Sequence, residues 1–113
     1  MGQVSSYQHK EMAAGRWAEM SLAEQMGNIG SEVSRSLKAQ KMGNQERCFR
    51  AFDRALELFD LTIASQPEPW RLREICRARE EYCDYFLGNN YRTTAEQMLK
   101  YYDGFATLAR RKQ

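Results

Sequence analysis

Residues 44–65 read NQERCFRAFDRALELFDLTIAS, and this stretch decides how the chain folds. Phe49, Phe52, Leu56, Phe59 and Ile63 recur at spacings of three, four, three and four. At about 100° per residue they fall on one helix face, flanked by Cys48, Ala51, Ala55, Leu58 and Thr62. The opposite arc carries Arg47, Arg50, Arg54 and Glu57, with Asp53 and Asp60 at one margin. An apolar arc this wide needs cover on more than one side, so other helices must pack around it.

The neighbouring segments supply those helices. Ser21-Leu22-Ala23-Glu24 has the form of a capping box. It opens a helix over 22–42 whose stripe is Leu22, Met26, Ile29, Val33 and Leu37. Gly43 suits the left-handed residue that ends a helix, and Asn44 caps the next. Gly30 lies beside the Ile29–Val33 seam, where a missing Cβ lets a neighbouring helix come close. Pro67 and Pro69 stop the second helix and admit a third over 70–87, with Leu72, Ile75, Cys76, Tyr82, Cys83 and Phe86 inward. Gly88-Asn89-Asn90 breaks that helix. A Thr-x-x-Glu/Gln box at 93–97 starts a fourth, reaching 110, with Ala95, Met98, Tyr102, Phe105 and Ala109 inward. The expected fold is all-α, an antiparallel up-down four-helix bundle over 21–113. Residues 1–20 have no sustained periodicity and read as a mobile arm, tied down where Trp17 meets the bundle.

At 113 residues the chain has room for one core. Its 17 basic and 15 acidic residues nearly cancel, so no global field dictates a polyanionic or polycationic partner. No apolar run approaches a membrane span and no leader pattern follows Met1, so no membrane association is expected. Cys48, Cys76 and Cys83 all fall in helices and read as small buried hydrophobes in a reduced, cytoplasmic protein. The single histidine, His9, lies in the arm, and no Cys-x-x-Cys is present. Neither a metal centre nor a cofactor is therefore expected, and no acid, base and nucleophile can be assembled.

Arg79 is the unusual residue. On the third helix it falls between Phe86 and Leu72, so it is expected to be buried at mid-bundle. A buried guanidinium must meet a carboxylate or several carbonyls, with Glu32 the first-choice carboxylate and Asp53 the second. Asn28, Glu57 and Tyr102 stand at the same level and complete the candidate network. Such a network either fixes helix register or holds an anionic ligand. Basic residues on the third helix, Arg71, Arg73 and Arg77, are interleaved with acids, which leaves the tail of Arg110, Arg111 and Lys112 as a weak nucleic-acid patch. Leu58, Leu61, Trp70, Tyr85 and Tyr101 are candidates for a protein–protein surface, with a symmetric dimer the simplest assembly.

Asn28-Ile29-Gly30-Ser31-Glu32, followed by Phe49, Phe52 and Ala55-Leu56-Glu57-Leu58, resembles one family. It is the four-helix-bundle proteins encoded in intervening sequences of bacterial large-subunit ribosomal RNA genes. The similarity spans residues 22–63, and it implies a small bundle that often oligomerises, with no catalytic residues to carry over. The helical bundles paired with minimal nucleotidyltransferases use an Arg-x4-His motif, which this chain lacks. The expectation is thus a non-enzymatic bundle acting through protein contacts. The alternative is binding of an anionic ligand or nucleic acid through Arg79 or the basic tail.

Overall fold

A computed structural model describes residues 15–111, and all regular structure among them is helical. Four long helices follow one another: α1 (Leu22–Lys41), α2 (Gln45–Ser65), α3 (Pro69–Leu87) and α4 (Ala95–Arg111). The expected stop and start signals hold. Ser21 and Glu24 exchange both bonds of a capping box, and these bonds to Ser21 keep the Glu24 carboxyl below its ordinary pKa. Gly43 has a φ of +76°, and the Asn44 side chain accepts from the Arg47 amide. Thr94 and Gln97 cap α4 in the same reciprocal way.

α1 is the spine. Ten of its residues are buried, against three on α3 and two on α4. Ile29 and Val33 are fully enclosed. One side of α1 meets α2, where Glu32 reaches Arg54 and Gln25 reaches Ser65. Its other side meets α4, where Gly27 faces Ala106 and Gly30 faces Tyr102. α3 docks on α2 through Phe52 and Phe59, whose rings lie 5.1 and 6.2 Å from that of Tyr82. The Tyr82 hydroxyl passes beyond them to Ser36 Oγ on α1, 2.6 Å away.

Three expectations need correction. The buried seam of α2 is Cys48, Ala51, Ala55, Phe59 and Thr62, and Phe49 is 65% exposed. Small residues on α2 let α1 come close, so the large ones are displaced sideways toward α3. Cys76 is exposed and Cys83 half-buried; only Cys48 of the three thiols is buried. The arm also ends earlier than residue 20. Residues 15–19 are helical and Trp17 is buried, its Nε1 donating to Thr62 Oγ1 at 2.9 Å while Gln25 donates to its carbonyl at 2.8 Å. The rest of the expected arm, residues 1–14, lies outside the described residues, as does Lys112.

Gly30 has the role assigned to it. A Cβ there would stand 2.5 Å from Tyr102 Cβ, an atom fixed to its backbone, whereas one at Gly27 would meet Ala106 at an ordinary 3.5 Å. Gly30→Ala should therefore destabilise by about 1–3 kcal/mol despite the better helix propensity of alanine. Gly27→Ala should be neutral or stabilise by up to about 1 kcal/mol. Urea melts of the two variants check this, and equal midpoints would contradict the close α1–α4 crossing.

Candidate site: a basic cleft between α1 and α2

The turn at Met42-Gly43 folds the last turns of α1 back on the first turns of α2. Arg35, Lys38, Ala39 and Met42 form one wall of the resulting cleft. Arg47, Arg50, Ala51 and Arg54 form the other, and Asn44 closes the end. Its volume is about 610 Å³ and it lies open to solvent. Five side chains of the lining are cationic and none is acidic.

One buried carboxylate organises this cluster. Glu32 lies beneath the cleft, with Oε2 accepting from Arg54 Nε at 3.1 Å and Oε1 paired with Arg35. The two guanidiniums are thereby held by one edge each, leaving their remaining N–H groups for other acceptors. Glu46 stands at the rim, 3.6 Å from Arg50 and largely exposed, so this contact is weak. Among the described residues, Lys38 and Arg47 have no carboxylate within ion-pair distance. Among the described residues, Glu32 and Glu46 are the carboxylates in ion-pair contact with these five cations, a local excess of three (5 − 2), while Asp53 and Glu57 stand exposed further round α2. The N-terminus of α2 adds its dipole with the same sign.

The network expected around Arg79 does not assemble. Arg79 is one-third exposed and its Nε donates to Asp60 Oδ1 at 3.0 Å. The reason is the rotation of α3, whose buried residues are Ile75, Ala78 and Tyr82. At about 100° per residue Arg79 lies about 65° from the middle of that face, at its margin. Glu32 is committed to Arg35 and Arg54. Asp53 and Glu57 are exposed, and the Asn28 amide donates to the Glu24 carbonyl at 2.8 Å. Tyr102 is buried against Gly30, with its ring 6.4 Å from Phe59.

The residues proposed for a protein surface are also dispersed. Leu58 and Leu61 are partly buried against the core, on the part of α2 that Trp17 covers at Thr62. Trp70, exposed and stacked under Arg71, stands at one end of α3; Tyr85, half-buried on Phe86, stands near the other. Tyr101 bonds Glu74 through its hydroxyl, and burial of its ring raises the phenol pKa. The Cys48 and Cys83 thiols are likewise pushed up by burial, which disfavours the nucleophilic thiolate. Among the described residues no three His, Cys, Asp or Glu side chains converge as a metal site would require, and no helix is long and apolar enough to cross a membrane.

The cleft escaped the sequence reading, although its signal is present. Arg47, Arg50 and Arg54 share one arc, and Arg35 and Lys38 share another on the preceding helix. Taken singly each is a solvated face; the short turn makes them opposite walls.

No protein-family profile matches this chain, and neither a curated protein nor a solved structure matches it.

Arg79→Ala removes a pair between partly exposed groups, so it should lower stability by no more than about 1 kcal/mol. Thermal melting checks this. A loss of about 3–5 kcal/mol, the range for an orphaned buried charge, would restore the core network expected from the sequence.

Proposed function

We propose that this protein is a non-enzymatic, antiparallel up-down four-helix bundle that binds a phosphate-bearing partner in the α1–α2 cleft. The topology is supported by the pairing of early with late positions: Gln25 with Ser65, Gly27 with Ala106, and Phe52 with Phe86. One observation carries the function: five cations from two helices line one open cleft, with Arg35 and Arg54 held in place from beneath by Glu32. Such a concentration of like charge opposes folding unless something offsets it, and a bound anion does so. Arginine suits phosphate because its planar fork matches two oxygens at once. Relative to the sequence expectation, the anion-binding alternative moves into first place, and its residues change from Arg79 and the tail to the cleft. Retention on phosphocellulose at low salt tests it. The Arg47→Ala, Arg50→Ala double variant should elute well before the wild type. If both elute together, or the wild type flows through, the cleft is not an anion site.

A second reading rests on a different surface. Phe49 and Leu87 are 65% and 81% exposed, and the Phe52–Phe86 ring pair joins the helices that carry them. This apolar end of α2 and α3 supports self-association as a symmetric dimer, in line with action through protein contacts. Light scattering at high micromolar concentration should give a dimer for the wild type and a monomer for Phe49→Asp. A wild-type monomer removes this reading without touching the cleft.

A further inference from the structure

The form of the cleft restricts what the phosphate-bearing partner can be. A small ligand is held by enclosure, with most of its surface buried and a few polar groups fixing its orientation. This cleft is open, and its positive charge is spread out. Arg47, Arg50 and Arg54 span about 10 Å of α2 at 1.5 Å per residue, with Arg35 and Lys38 facing them across the cleft. Two or three of these side chains would satisfy one phosphate group. A nucleic-acid duplex places a phosphate on each strand about every 3.4 Å of its axis, so about 10 Å of duplex offers about three per strand.

The remaining lining narrows the choice further. No aromatic side chain lines the cleft, so unpaired bases would find no stacking platform, the device on which single-strand binders depend. Phe49 cannot serve, because it lies toward α3, on the far side of α2 from the arginines. The floor is Ala39 and Ala51, and the only amide, Asn44, has its oxygen engaged by the Arg47 N–H at 3.1 Å. Apart from the cations, whose charge the backbone phosphates draw, only the Asn44 NH2 group is left to meet a base edge. An acidic protein is disfavoured for a related reason: protein interfaces depend on a central aromatic or aliphatic anchor in a pocket, and the cleft offers only Met42 at its rim.

We infer that the cleft docks the phosphodiester backbone of double-stranded nucleic acid, without regard to its sequence. This rests on the reading of the cleft as an anion site and specifies its ligand. Arg35 and Arg54, positioned by Glu32, contact phosphates from opposite walls. Lys38, Arg47 and Arg50 extend the contact along the strand.

Fluorescence anisotropy with a labelled mixed-sequence duplex of about 20 base pairs tests this on the full chain. With about three phosphates neutralised, raising salt from about 50 to about 200 mM should weaken binding about 40-fold. Arg47→Ala and Lys38→Ala should each reduce the log–log salt slope by about one, with circular dichroism confirming that both variants fold. Arg110→Ala should leave the slope unchanged. Scrambling the duplex sequence should change affinity less than about two-fold. Four results would overturn the inference: a single strand of equal length binding as tightly as the duplex, tripolyphosphate displacing the duplex at equal phosphate concentration, poly-glutamate doing the same at equal charge, or slopes unaffected by Arg47→Ala and Lys38→Ala. Where phosphocellulose retention persists through one of these results, the anion site stands and only its assigned ligand falls.

Discussion

The bond between the Tyr82 hydroxyl and Ser36 Oγ determines the arrangement of the rest. Tyr82 is the largest of the fully buried side chains, and its ring is surrounded by Phe52, Phe59 and Phe86. A phenol enclosed this way must find a partner, because an unpaired buried hydroxyl costs on the order of 1–3 kcal/mol. Burial also raises its pKa, so it stays protonated. Ser36 donates its own proton to the Val33 carbonyl at 2.7 Å, so the tyrosine is the donor between them. This contact fixes the rotation of α3, which has few other buried residues to fix it. With Tyr82 inward, Arg79 comes out at the margin and takes Asp60. Glu32 is left to Arg35 and Arg54, and the cleft takes its shape from that pairing.

Helix identity and helix ends were legible in the sequence because they depend on neighbours within one turn. Ser21 with Glu24, Gly43, Asn44 and Thr94 with Gln97 all act locally, and each occupies its expected position. Rotation was harder to read. On α2 the large side chains Phe49, Phe52, Leu56, Phe59 and Ile63 drew the expected face toward themselves. The seam against α1 lies about 100° round from their centre, at Ala51 and Ala55. Size and closeness compete: a helix approaches most nearly where its partner is small, and hydrophobic weight alone misses this. The same bias on α3 overvalued Leu72 and Phe86 and so placed Arg79 in the core.

The site was illegible for a different reason. Its two arginine-bearing walls are separate elements, and periodicity within either predicts only a solvated face. Glu32 joins them, but periodicity turns α3 so as to place Arg79 inward and pairs Glu32 with Arg79 instead of with Arg35 and Arg54. A single misplaced helix face therefore concealed a feature on a different pair of helices. The net charge of +2 gave no warning, since acids elsewhere on the surface offset the local excess.

The burial of Trp17 has an optical consequence. The chain has two tryptophans. Trp17 is enclosed with its indole N–H bonded to Thr62, and Trp70 is in water with the Arg71 guanidinium 4.9 Å from its ring. The first therefore emits from an apolar cage and the second from a hydrated surface, so one emission band has a blue and a red component. Iodide in solution reaches only the red one. Detachment of the segment before α1 would shift the blue component while the helices keep their far-ultraviolet signal. The molecule thus contains its own dye for the one piece of backbone that, among the described residues, joins the core from outside the four long helices.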